Sequence, residues 1–425
     1  MKVLYGMIYA PEVGGSGAPI YTHTLMEGMQ QKGDDAGIVF SVHHSYQSRV
    51  KVPYALFPLY FDHPPVFDNQ PKAVGSIPFH SMSQREVKEY IEAFFSTFEK
   101  CIQEDGYELL HIQHGMYIGY AAALIKEKYN VPYMISLHAM ELNFLHEFPD
   151  PIFAMKAMTD ADSILALSEA QKNRLLNEYT REIIITLDMK QKGVSRQESE
   201  ERYSQIVGDG QIDPERIAIC PLGIDVDHYR IKPFEYVDGL KAFSAIYKPK
   251  LVMYAGRLIE MKGILNLLEA ERLYNANGDV HTLILGGGQY ENFVGEITRV
   301  RPNVHYLGFK EQSIMPMYLN FIAEHKGVFT VPSSSEGMSL VYLEAMACGS
   351  RVLASCKKDM QQMDFMQHPY ARFTNFGNIE ELANAVTQML ADTPPHREDV
   401  RNNMVKYDIP SFQKRVYSLY EQCIA

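Results

Sequence analysis

At 425 residues the chain exceeds what one hydrophobic core serves, and about 100–200 residues per domain points to two domains. A formal net charge of −12 argues against a nucleic-acid-binding role, since no basic stripe is available to neutralise a phosphate backbone, and against tight binding to an anionic membrane surface. The five cysteines (Cys101, Cys220, Cys348, Cys356 and Cys423) are odd in number, widely spaced and contain no C-x-x-C, which suits reduced thiols and a cytoplasmic setting better than a disulfide framework or a zinc site.

In chain order, the N-terminus reads as a short buried strand over 2–9 rather than a signal peptide, and no 18-residue apolar run predicts a membrane span. Short apolar runs then alternate with helical patterns, the signature of βαβ units and parallel sheets. The first series predicts strands at 2–9, 36–42, 108–113, 132–137, 163–167 and 216–220, with helices including 18–32, 84–104, 116–128 and 168–179. A second series predicts strands at 250–255, 280–286, 303–306, 327–331 and 351–355, with helices near 262–275, 289–300, 338–348 and 378–391. The expected organisation is an α/β chain of two Rossmann-like doubly wound domains. The first covers 1–223, with a C-terminal helix near 410–425 packing back on it; 224–249 is a linker; the second covers 250–409.

Helix 84–104 spaces Val87, Ile91, Phe94, Phe95, Phe98 and Ile102 along one face, while the other is mostly acidic, so it reads as a core-packing helix and not a membrane-surface one. Two stretches interrupt the rhythm. Residues 43–83, rich in Pro, Phe, Tyr and His, are a candidate wall for an acceptor. Residues 180–213 are polar and read as a mobile surface excursion.

Three constellations carry chemistry. Gly14-Gly15-Ser16-Gly17 follows the first strand and precedes a helix; its glycines fit either a phosphate-approach loop or, equally, an ordinary tight βα turn. Gly256-Arg257-Leu258-Ile259-Glu260-Met261-Lys262-Gly263 follows the apolar strand 251–255. Arg257 and Lys262 therefore stand at a sheet's C-terminal edge beside a helix N-terminus, where open α/β sheets bind ligands, and two cations there suit a diphosphate. The third follows strand 327–331: Glu336 at the strand-to-helix junction, then Gly337, Met338, Ser339 and Leu340 offering first-turn N–H groups, then Glu344 eight residues after Glu336. Carboxylates at both ends of a phosphate-binding turn need a purpose other than phosphate, and sugar hydroxyls are natural partners. His111, His114 and His138 fall at C-terminal strand edges without zinc-motif spacing.

These motifs resemble those of the large retaining glycosyltransferase family 4, with the GT-B fold. The glutamate pair is matched by Glu336 and Glu344, the Gly-Arg…Lys-Gly diphosphate motif by Arg257 and Lys262, and the PxGxD segment by Pro221-Leu222-Gly223-Ile224-Asp225; Gly286-Gly287-Gly288 and Leu307-Gly308-Phe309 match further signposts. The resemblance implies two domains facing across a cleft and a nucleotide diphosphate sugar as donor, UDP being the commonest base, with no metal cofactor required. It implies that Glu336 holds donor-sugar hydroxyls, Glu344 the ribose, Arg257 and Lys262 with Gly256 the diphosphate, and backbone near Phe309 the base. His138 is implied beside the reaction centre, and His114 and Glu141 are candidate acceptor contacts. The chain departs from the pattern at Gly-Gly-Ser-Gly-Ala-Pro in the first loop and at Ser350-Arg351, where relatives often carry x-Pro; Arg351 reads as a cleft cation or a surface residue. There is a fainter similarity to glycosyltransferases of aminoglycoside pathways. A non-catalytic sugar-nucleotide-binding subunit, or a sugar-nucleotide epimerase on the same architecture, fits the same motifs. Acceptor identity and oligomeric state are not encoded in any motif.

Overall fold

The computed structural model describes residues 1–8, 17–43, 52–62, 64–66, 77–78, 81–138, 140–233, 250–334, 338–355 and 363–425. The chain divides into two compact units, Met1–Pro221 with Phe412–Ala425, and Leu222–Ser411.

The first unit holds β1 (Lys2–Met7), β2 (Asp35–His43), β3 (Ala55–Phe61), β4 (Pro65–Val66), β5 (Ile77–Pro78), β6 (Leu109–Ile112), β7 (Tyr133–Ser136), β8 (Ser163–Ala166) and β9 (Ile217–Ile219). Seven of these form one parallel sheet in the order β3-β2-β1-β6-β7-β8-β9, while β4 and β5 form a small parallel ribbon. The central strands β6, β7 and β8 are buried at every residue, as strands covered by helices on both faces must be. Edge strand β3 is half-exposed and tolerates Pro58, which lacks the N–H that a central strand needs. Sequence periodicity did not mark β3, because an edge strand carries neither a continuous apolar run nor clean alternation.

The Gln84–Lys100 helix starts from a capping box between Ser83 and Glu86 and buries Val87, Tyr90, Ile91, Phe94 and Phe98. Its core-packing character matches its apolar stripe. Residues 180–213 differ from expectation: they form helices Arg181–Lys192 and Arg196–Ile206, which bury Ile184, Ile185, Ser199 and Tyr203. Most of their polar side chains face solvent, as expected of a surface segment, but one group of charges turns inward. Arg202 donates to Asp188 and, at 2.9 Å, to Asp150, and both carboxylates are buried. Of 43–83, only β3 to β5 and a few neighbouring residues are described, so the acceptor-wall expectation falls largely outside the described residues.

The second unit holds β10 (Lys250–Ala255), β11 (Val280–Leu285), β12 (Val304–Gly308), β13 (Val328–Val331), β14 (Arg351–Ser355) and β15 (Ala371–Thr374), parallel in the order β12-β11-β10-β13-β14-β15. The order reverses between β10 and β13. Within the expected linker, Ile224 bridges to Asp408 and the Lys232 amide donates to Asn320 Oδ1 at 2.9 Å, both inside this unit; 234–249 lie outside the described residues. The C-terminal helix Ile409–Ile424 lays Tyr417 and Tyr420 against the first unit, where the Tyr420 and Tyr5 hydroxyls meet at 2.8 Å. Among the described residues no helix is long and apolar enough to cross a membrane.

Candidate functional site

In open parallel sheets, ligands bind outside the C-terminal strand ends where the strand order reverses. In the second unit that point lies between β10 and β13, and the loops around it are clasped backbone to backbone. The Leu258 amide donates to the Gly287 carbonyl at 2.9 Å, the Tyr290 amide to the Leu258 carbonyl at 2.9 Å, and the Ser334 amide to the Met261 carbonyl at 2.8 Å. Such close approach requires glycine. Gly286 has φ +136°, and a Cβ there would lie 1.9 Å from the Gly256 carbonyl oxygen; Gly263 has φ +70°, and its Cβ would lie 2.0 Å from that of Pro332.

Arg257 and Lys262 sit half-buried on this clasped loop, which runs from β10 into the Ile264–Tyr274 helix. The Tyr254 hydroxyl pins the loop by donating to the Arg257 carbonyl at 2.7 Å. Two permanent cations are thereby held at the switch point of the sheet, in the surroundings that phosphate groups favour.

Glu344 lies on the Leu340–Ala347 helix that follows β13. That helix begins two residues later than expected, so Met338 and Ser339 belong to the approach to it. Both are buried, and Met338 Sδ receives the Leu222 amide at 3.3 Å. Burial pushes the Glu344 carboxyl up to about 7, against the opposing pull of Tyr229 and Gln312. Those two neighbours come from the segment before β10 and the turn after β12; nothing in their local sequence singled them out. Phe309, just beyond β12, is 70% exposed. Glu336, Gly337 and Gly15 lie outside the described residues, and Gly17 is described only as the start of the Gly17–Gln31 helix.

The first unit presents a second polar cluster at the ends of β6 and β7. Glu141 is fully buried and accepts the His138 amide at 3.1 Å and the Gly115 amide at 3.2 Å, with His114 Nδ1 at 3.5 Å. Burial alone would raise the Glu141 carboxyl, but His114 above all, with smaller help from His138 and a backbone donor at Glu141, outweighs it and holds it below the ordinary value. Burial, helped by His114, pulls the partly exposed His138 down to about 3, so its ring is neutral. Its Nε2 donates to Gln113 Oε1 at 2.9 Å, which leaves Nδ1 as an acceptor suited to a hydroxyl. Among the described residues the buried Gln113 amide nitrogen finds no acceptor. Gln113 belongs to no sequence motif, and only the fold turns its side chain to His138.

His111 is not part of that cluster. It is fully buried between the Tyr420 hydroxyl at 2.6 Å and Ser136 Oγ at 2.7 Å, a neutral strand residue. Arg351 is neither a cation of the switch-point loops nor a surface residue: it is 6% exposed at the start of β14 and donates to the carbonyls of Met389 and Lys326. Among the described residues no group of three or more His, Cys, Asp or Glu side chains is arranged to hold a metal ion.

Two family models match. One described as glycosyl transferases group 1 covers residues 240–407, and one described as glycosyltransferase family 4 covers residues 15–184. An uncharacterized glycosyltransferase of Methanocaldococcus jannaschii is 22% identical over 84% of this chain and 79% of its own length. A D-inositol 3-phosphate glycosyltransferase of Geodermatophilus obscurus is 23% identical over 69% of this chain and 63% of its own. Among solved structures, a sucrose-phosphate synthase from Thermosynechococcus elongatus superposes with TM-score 0.71 at 17% identity, covering 99% of both chains. Anabaena HepE in complex with UDP-glucose superposes with TM-score 0.64 at 16% identity, over 99% of this chain and 100% of that one.

Proposed function

The chain is a family 4 glycosyltransferase with the GT-B fold, and from that premise we propose that it is a retaining hexosyltransferase. It moves a hexosyl or N-acetylhexosaminyl group from a nucleotide diphosphate sugar to an acceptor hydroxyl by front-face transfer. The observation that carries this reading is the clasped loop holding Arg257 and Lys262 at the switch point of the second sheet, with buried Glu344 on the helix that follows β13, the strand beside β10.

In this mechanism the bond from the anomeric carbon to the diphosphate breaks while the acceptor oxygen approaches the same face. Negative charge grows on the departing phosphate, and Arg257 and Lys262 stabilise it. The diphosphate oxygen takes the acceptor proton, so no protein nucleophile is needed. Glu344 accepts from the ribose hydroxyls, Glu336 from the sugar, and backbone near Phe309 meets the base. In the first unit, His138 Nδ1 accepts a hydroxyl of the substrate near the reaction centre, and His114 and Glu141 shape the acceptor side. UDP is the favoured base, supported by the UDP-glucose bound to HepE, a protein of the same fold.

The test is incubation of the protein with a panel of UDP- and GDP-sugars and hydroxyl acceptors, with products read by mass spectrometry and anomeric configuration by NMR. A glycoside that keeps the donor's configuration is expected. An inverted product, or free sugar epimer formed without acceptor, would overturn the reading.

A further inference from the structure

Parallel strands put the two ends of a sheet to different uses. The Gly256–Gly263 loop follows the C-terminal end of β10, whereas β13 and β14 begin at Val328 and Arg351 at the other end. At that other end lies a cavity of about 230 Å³, lined by Glu324, Lys326, Gly349, Arg351, His396 and Arg397 among others.

Its electrostatics are incomplete. Arg351 is 6% exposed, and its two terminal nitrogens donate only to the neutral carbonyls of Met389 and Lys326. Its Nε has no partner among the described residues. Of the nearby acids, Asp392 attracts Arg351 without a hydrogen bond to it and pairs with Arg372, while Glu324 pairs with Arg397 inside the cavity. The Nε of Arg397 is likewise buried without a partner among the described residues. A guanidinium buried without a counter-charge is unfavourable unless something supplies one. Lys326, Arg351 and Arg397 bring three permanent cations to this cavity against the single carboxylate of Glu324, in a chain whose net charge is −12.

We propose that this cavity is a second anion site, taking a small phosphate, either inorganic phosphate or a phosphate monoester, with Arg351 and Lys326 as its main ligands. The surplus of cations suits a dianion better than a single carboxylate, and guanidinium geometry suits phosphate oxygens. The volume lies below the roughly 300–1,000 Å³ of sites for drug-sized ligands, which favours a small ion over a nucleotide. Arg351 opens β14, at the opposite end of the sheet from the loop that carries Arg257 and Lys262, so the two groups of cations serve separate places. The inference does not depend on the transfer reading.

The experiment titrates the full chain with inorganic phosphate against sodium chloride at matched ionic strength, following the thermal midpoint and the heat of binding. Glucose 6-phosphate serves as the ester probe. A saturable rise in midpoint with phosphate is expected, persisting in Arg257→Ala. Arg351→Met and Lys326→Gln should each weaken phosphate binding about tenfold or more. Lys326 is exposed, so Lys326→Gln keeps the test open if Arg351→Met fails to fold. Tighter binding of the ester identifies a phosphorylated metabolite as the ligand; tighter binding of phosphate identifies the free ion. Equal midpoints in phosphate and chloride, loss of the phosphate effect in Arg257→Ala, or unchanged binding in the double variant Lys326→Gln/His396→Gln would each overturn the proposal.

Discussion

The Ser334 amide donates to the Met261 carbonyl at 2.8 Å, joining the loop after β13 to the loop after β10. The two strands flank the reversal of strand order, so this bond spans the point where a ligand is expected. It ties the Arg257–Lys262 segment to the end of β13 in one backbone frame.

That frame depends on glycine. Gly286→Ala would set a methyl group 1.9 Å from the Gly256 carbonyl oxygen at a φ of +136°. The strain is expected to lower stability by about 1–3 kcal/mol or more and, under the proposed function, to weaken nucleotide binding in the same variant. Gly287→Ala, whose Cβ would meet only the Glu291 carboxylate at 3.5 Å, is the control and should do neither. Thermal melts and nucleotide titrations check both, and equal behaviour of the two variants counts against the clasp.

The two cations should matter to chemistry and not to folding. Arg257→Ala and Lys262→Ala are each expected to reduce kcat by about 10²–10³-fold, the loss typical of removing one group that stabilises developing charge, with melting unchanged. Initial rates at saturating donor measure this. Near-native turnover in both variants would remove the mechanism proposed for departure of the diphosphate.

Glu344 gives a pH signature. Its folded value, about 7, lies above the 4.5 of a free glutamate, because burial disfavours the anion. The folded state then binds the proton more tightly than the unfolded one between those values, so stability falls as pH rises from about 4.5 to 7 and levels off above. The sum is on the order of 3 kcal/mol. Glu344→Gln should flatten this slope and be the more stable protein at pH 8, while weakening nucleotide binding. Parallel melting-temperature profiles for the two proteins from pH 5 to 8 would show that Glu344 ionises as an exposed group does.

The parallel sheets were legible because strands such as β1, β7 and β10 write burial as continuous apolar runs. The switch-point loop was legible because Arg257, Lys262 and the glycines of 286–288 are chemically unusual beside a strand end. What escaped has a shared physical origin. β3 is an edge strand with one wet side, β15 is largely half-buried, and the helices 181–192 and 196–206 bury a narrow face behind many exposed charges and a few that pair inside. Tyr229, Gln312 and Gln113 reach their sites through tertiary packing, which local pattern does not encode. Arg351 has no sequence signal for burial, since its guanidinium donates to the Met389 carbonyl in the last turn of the 379–391 helix and to the Lys326 carbonyl in the turn after the 315–324 helix.

The Arg202 cluster separates structure from catalysis in the first unit. Asp150 is 1% exposed and Asp188 is fully buried, and Arg202 donates to both, with Lys192 pairing Asp150 as well. Arg202→Met would leave Asp188 without its cation and Asp150 with one of two. Breaking a buried pair from one side costs about 3–5 kcal/mol, because the carboxylate stays desolvated. The triple change Arg202→Met, Asp188→Leu, Lys192→Met would still leave Asp150 charged and should remain less stable than native. Adding Asp150→Asn, which removes the last buried charge, should recover much of the loss. Denaturant midpoints across this series test the ordering. Transfer rates per folded molecule should stay constant throughout, since none of these groups belongs to the His138–Glu141 cluster or the Arg257 loop. A fall in kcat without a fall in stability would instead tie the 181–206 helices to the reaction.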